Sequence, residues 1–318
     1  MIKKLFFASC LAFSFVALAQ EQEQDSVLIK KELQEVKVNA LRATSLTPIS
    51  FTNISKEELD EQNLGQDLPF LLSLTPSIVT TSDAGAGVGY TGFRVRGSDP
   101  TRVNVTINGI PLNDSESHGV FWVNMPDFSS SIENIQIQRG VGTSTNGAGA
   151  FGASLNLVTD RLRSKAYAST SNTIGSYETL KNNVEFGTGL INNRFTVDAR
   201  LSKIESDGYI DRATSNLKSF YLSGGYFGDD ESLKLTIFSG KEITYQAWNG
   251  VPLNYLENDS LRTFNIYEYD NEVDNYAQTH YHFNYTKELK ENEVFNLGLH
   301  YTKGLGYFEQ FRSNDDLS

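Results

Sequence analysis

From about Lys165 onward the chain alternates. Phe195, Val197, Ala199 and Leu201 share one face of an extended segment, while Thr196, Asp198 and Arg200 share the other. The same period of two recurs at Leu180/Val184/Phe186, Phe220/Leu222/Tyr226, Leu233/Leu235/Ile237, Tyr281/Phe283/Tyr285 and Phe295/Leu297/Leu299/Tyr301. Six or seven antiparallel strands are predicted, joined by short turns at 188–192, 228–231 and 288–293 and by one long polar stretch at 246–275. Alternation alone fits either a soluble sandwich, whose apolar face is the core, or a membrane barrel, whose apolar face meets lipid. Tyr and Phe near strand ends, and the contrast between short turns and one long loop, favour the barrel.

Between about residues 40 and 160 the pattern is mixed. Ser55-Lys56-Glu57-Glu58 is a capping box, so a helix is expected to about Gln62. A second helix is expected over 66–74, with Pro69 in its first turn. Short strands follow at 77–80, 92–96, 102–107, 132–138 and 154–158, and Asn108-Gly109 marks a tight turn. An α+β domain therefore precedes the strands.

The N-terminus adds compartment. Lys3 and Lys4, an apolar run and Ala17-Leu18-Ala19 form an export signal over residues 1–19. Residues 20–39 form a polar leader in which Leu33, Gln34, Glu35, Val36, Lys37 and Val38 alternate like an edge strand. Cys10, the only cysteine, lies inside the signal, so the mature chain holds no disulfide or thiol nucleophile. A net charge of −12 excludes a nucleic-acid partner, and no run of apolar residues suits a transmembrane helix.

Two glycine patterns match the dinucleotide fingerprint, Gly87-x-Gly89-x-x-Gly92 and Gly147-x-Gly149-x-x-Gly152. Each leads into a strand where that motif requires a helix, so neither is a nucleotide site. No Ser/His/acid constellation is legible, and no enzyme activity, cofactor or metal centre is expected. His280 and His282 share a face with His300 on the next strand; a metal or haem contact and plain lumen filling both fit.

Taken in order, these parts resemble a TonB-dependent outer-membrane receptor of the kind found in Bacteroidetes. The resemblance rests on the box 33–38, Phe93-Arg94-Val95-Arg96-Gly97, Val105-Thr106-Ile107-Asn108-Gly109-Ile110-Pro111-Leu112, Ile135-Gln136-Ile137-Gln138-Arg139-Gly140 and the run 147–160. Gln138 and Val141 depart from the Glu and Pro that the family often carries at those positions.

The resemblance implies four parts: signal peptide 1–19, periplasmic leader with TonB box 20–39, plug 40–160, and the start of a transmembrane β-barrel at 161–318. It implies that Leu33 to Val38 pair with TonB and its inner-membrane energising complex, and that Arg94, Arg96 and Arg139 latch the plug to barrel carboxylates. Plug loops 83–90 and 113–122 become ligand candidates, chiefly Ser115, Glu116, His118, Phe121 and Trp122. A closed barrel around a plug needs about 22 strands, so the chain is expected to be a fragment. A leader this short points to a small cargo, foremost a ferric siderophore, with haem, cobalamin or an oligosaccharide as alternatives, and a passive porin or adhesin as the competing class.

Overall fold

A computed structural model describes residues 42–142, 149–159, 162–290 and 293–312. The export signal, the box 33–38 and part of the run 147–160 lie outside the described residues.

The capping box forms as expected. Strand β1 (Phe51–Ser55) ends at Ser55, whose hydroxyl accepts from the Glu58 amide while the Glu58 carboxylate accepts from the Ser55 amide, opening helix α1 (Lys56–Gln62). Helix α2 is one turn, Leu68–Leu71, with Pro69 in it and Asp67 at its N-cap. It is shorter than the pattern predicts. Leu72 bonds back to Pro69 and Phe70, and Pro76 blocks a helical continuation.

Strands β2 (Ile78–Ser82) and β3 (Thr91–Val95) pair as a small antiparallel unit. Strands β4 (Val103–Ile107), β5 (Ile110–Pro111), β6 (Asn134–Arg139) and β7 (Ala153–Val158) join β1 in one sheet of order β1-β6-β7-β4-β5. Asn108 and Gly109, at φ 49° and 79°, turn the β4–β5 hairpin. Ile107, Ile135, Ile137, Leu155 and Leu157 are fully buried and form the plug core with Leu59, Leu72 and Val95.

The remaining strands form a second, wholly antiparallel sheet of seven in chain order: β8 (Tyr167–Ile174), β9 (Leu180–Gly187), β10 (Phe195–Ser206), β11 (Ser215–Phe227), β12 (Glu231–Tyr245), β13 (Val273–Lys290) and β14 (Glu293–Phe308). Its two ends differ. One carries the connections 175–179, 207–214 and 246–272, the other the turns 188–194 and 228–230.

The inside-out distribution of polarity settles what alternation left open. Polar Thr196, Arg200, Ser202, Ser223, Thr236, His280, His282 and Thr286 are buried, whereas Val197, Leu201, Leu222, Leu235, Leu299 and Tyr301 are exposed. A soluble sandwich requires the reverse, and water-soluble monomers rarely expose so large an apolar band. The outward band is a lipid face. The five longer strands run from 12 to 18 residues, more than the about 9–11 a tilted membrane strand needs. No helix of the described residues is long and apolar enough to cross a membrane.

One substitution separates lipid from water on this face. Leu222 lies mid-strand in β11 between Ala199 and Ile237 of the neighbouring strands. Leu222→Arg is expected to cost about 2–4 kcal/mol when the folded receptor is unfolded from bilayers, because a guanidinium near the midplane loses its hydration. A cost within about 0.5 kcal/mol, the usual range for a water-exposed position, would contradict a lipid face.

Candidate functional site: the plug–wall interface and its cleft

The polar face of the sheet is buried because the plug covers it. Apolar contacts form one part of the joint. Phe128, in a 3₁₀ turn Phe128–Ser131, packs on Tyr221 and Phe238 of the wall at ring distances of 6.4 and 4.9 Å. Val88 and Val123 meet Ile204 and Leu217 in a second cluster. The plug backbone also approaches closely at Gly240 of β12, where any side chain would run into the Asn124 carbonyl and Pro126.

Charge forms the other part. Asp127, at φ 54° and with its carboxylate fully buried, sends that group into the wall. Lys181 of β9 reaches one carboxylate oxygen at 2.6 Å, and Arg200 of β10 approaches the other at 3.3 Å. The two-residue period brings the helpers: Asn183 and Ser202, each two positions along its strand and paired across the ladder, donate to the same carboxylate at 2.6 and 2.7 Å. Ser130 and Asn63 donate from the plug side at 2.6 and 3.3 Å. Arg200 also donates to the Asp127 carbonyl and the Ser131 hydroxyl, and Lys181 to the Asn63 side-chain oxygen.

Burial pushes the Asp127 carboxyl up, but Arg200 and Lys181 outweigh it and hold the group well below the usual carboxylate range. A depressed native pKa means that the ion set contributes its full stability above the unfolded value near 4 and loses it only as pH falls through the lower native value. The connection is therefore intact throughout neutral and mildly acidic conditions.

In this contact the carboxylate belongs to the plug and the cations to the wall. Arg94 pairs with Asp99 of the plug at 3.4 Å, both about half exposed, a contact of small energetic weight. Arg139 donates to Thr52 and Ser50, fastening β6 to the start of β1. Arg96 sits at φ 51° beside Gly140. All three guanidinium contacts shown here are within the plug. The residues that do bridge plug and wall were missed. Lys181 and Arg200 carried a signal, being cations at lumen-facing positions of alternating strands; Asp127, more than fifty residues away, carried none.

Nearer the long-loop end, a second buried carboxylate behaves differently. Asp67 is 3% exposed and accepts from the Thr91 hydroxyl at 3.0 Å. Burial, helped by the charge of Asp127 and opposed by Thr91 and the Gly89 amide, raises it to about 8. Because the native pKa lies above the unfolded one, the native state binds the extra proton, and stability is fully present below about pH 4 and lost as pH rises toward 8. Asp67→Asn is expected to flatten that decline, measured as melting temperature between pH 5 and 8; an equal slope in both proteins would contradict a protonated Asp67.

The loop 83–90 is used for docking. The Ala84 carbonyl accepts from the amides of Tyr209 and Ile210, Gly89 at φ 91° lies against Ser215, and Tyr90 hydrogen-bonds Asp274 and meets Trp248 edge-on at 5.5 Å. The glycines of the 87–92 fingerprint thus serve turns and close approach ahead of β3, with no helix following.

The loop 111–121 instead borders a cleft of about 450 Å³ against β12, β13 and β14. Ser115, Glu116 and Phe121 line it, and Phe121 is 51% exposed. His118 lies on a neighbouring cavity with Arg102 and Phe151. Trp122 turns the other way, buried against Phe93 at 5.8 Å in the plug core. An aromatic pair in sequence places one ring on each side of the backbone, and the sequence does not say which faces in. Asp114 holds the loop's shape by accepting from the Glu116 and Ser117 amides.

The histidines face inward, with Tyr281 between them exposed. His280 stacks on Phe238 at 4.5 Å and hydrogen-bonds Gln278 and Thr302, and His282 lies across from His300 at 6.4 Å. Among the described residues no group of three or more His, Cys, Asp or Glu side chains is disposed to hold a metal.

Comparison with known proteins agrees with this architecture. Residues 43–154 match the family model of the TonB-dependent Receptor Plug Domain. Over 197 residues the chain is 24% identical to the Acinetobacter baumannii protein described as a probable TonB-dependent siderophore receptor, PirA, covering 56% of this chain and 26% of that one. The ferric-catecholate import receptor Fiu of E. coli K12, in its closed form, superposes with a TM-score of 0.69 at 16% identity, over 91% of this chain and 40% of that one. The alcaligin outer-membrane receptor FauA of Bordetella pertussis gives 0.61 at 15%, over 84% and 41%. The chain thus spans about a quarter of the curated relative's length and about two fifths of these solved structures. Residues 43–154 thus carry a TonB-dependent receptor plug domain, and the chain as a whole shares its fold with the corresponding part of these solved receptors.

Proposed function

We propose that the protein takes up a scarce nutrient across the outer membrane, foremost a ferric siderophore, using work delivered by TonB. The observation that carries this reading is the plug itself, a folded domain fixed inside a lipid-facing wall by a buried ion set. A passive pore has no use for such an obstruction. Because the outer membrane holds no nucleotide supply or ion gradient, moving the plug for uphill import requires force from the periplasm.

In this reading residues 1–19 are removed on export, and the leader 20–39 lies in the periplasm. Leu33, Gln34, Glu35, Val36, Lys37 and Val38 add as a strand to TonB. The end with the turns 188–194 and 228–230 faces the periplasm, and the loop 246–272 faces outward. The cleft beside Ser115, Glu116 and Phe121 then opens toward the medium, and His118 borders the neighbouring cavity. Arg94, Arg96 and Arg139 are available to wall carboxylates elsewhere in a complete barrel. The siderophore receptors similar to this chain support iron as the cargo.

The test is iron-55 uptake from single ferric chelates by a strain deleted for the gene. Uptake restored by the full-length gene and abolished by inactivating TonB is the expected result. Restored uptake that survives loss of TonB would favour a passive pore.

A further inference from the structure

The chemistry of the cleft narrows the cargo, resting on the uptake reading above. Its lining includes Asp114, Glu116, Glu242 and Asp274, with His280 and His300, and among the described lining residues there is no lysine or arginine. An independent feature points the same way. Asn124 is 6% exposed and lines the cleft, and its side-chain carbonyl oxygen has no hydrogen-bond partner. A buried acceptor left unmet favours a ligand that brings a donor. Phe121 and Tyr276 line the same cleft, and aromatic rings attract cations.

We propose that this cleft recognises a ferric chelate carrying a protonated amine, with the ammonium received among the carboxylates and Asn124. A polyanionic ferric catecholate is disfavoured here. It would bring negative charge against Asp114, Glu116 and Asp274 on a lining that, among the described residues, holds no guanidinium or ammonium.

The discriminating pair is ferrioxamine B and its N-acetyl derivative, which share size and metal coordination and differ by one ammonium; ferric enterobactin supplies the polyanion. Binding to the purified full-length receptor is expected to be roughly tenfold tighter for ferrioxamine B than for the acetylated form, the scale of one charge-assisted hydrogen bond. Glu116→Gln, on an exposed loop position, and Asp274→Asn, which still accepts from Tyr90, are each expected to shrink that ratio, chiefly by weakening ferrioxamine B. Equal binding of the two ferrioxamines, binding of neither, or tighter binding of ferric enterobactin overturns the charge assignment. Failure of the strain to gain TonB-dependent uptake of any ferric chelate overturns the uptake reading instead.

Discussion

Asp127→Ala is expected to destabilise the docked plug by about 3–5 kcal/mol, the cost of leaving buried charge without its partner. Lys181 and Arg200 would remain beside each other, both almost wholly buried, with the acceptor of their common contacts removed. Asn183 and Ser202 would lose their acceptor as well. The readout is unfolding of the full-length receptor in detergent together with trypsin cleavage within the plug. Adding Lys181→Met and Arg200→Met to the same protein is expected to recover most of the loss, since apolar replacements of a whole buried ion set are often neutral. A single variant as stable and as protease-resistant as the parent would show that apolar contacts at Phe128, Val88 and Val123 hold the plug alone.

Val36→Pro is expected to reduce energised uptake to that of a strain lacking TonB. A strand that adds to another sheet offers its amides, and proline removes one and restricts its neighbour. Val36→Ala keeps the amide and is expected to retain most uptake. Surface amounts and ligand binding should match the parent in both variants, so the loss would lie in coupling between the two ends of the plug. Full uptake with proline at residue 36 would remove the box from this segment.

Much of this architecture is written locally. The capping box at Ser55, the turn at Asn108-Gly109 and the period of two from residue 180 to 301 depend on neighbours within a few positions, and each took the form the pattern predicts. Strand β1 was missed because Phe-Thr-Asn-Ile-Ser lacks clean alternation, and its conformation is set by pairing with β6 some eighty residues later. Helix α2 was overextended because the pattern carries no account of where Leu72 turns back. The candidate site shows the same division. That Lys181 and Arg200 face inward follows from alternation; that their partner is Asp127 follows only from the fold. The plug arginines stand out in motifs, whereas a lone aspartate after Met-Pro does not.

The central claim is that strand β11 has lipid on one side and the plug on the other. Spin labels introduced one at a time over residues 219–224 of the full-length receptor in bilayers test it. Labels at 220, 222 and 224 are predicted to collide freely with dissolved oxygen, and those at 219, 221 and 223 to be shielded from oxygen and from a water-soluble nickel reagent alike. Free collision of the first set with the nickel reagent would place that face in water and contradict the account.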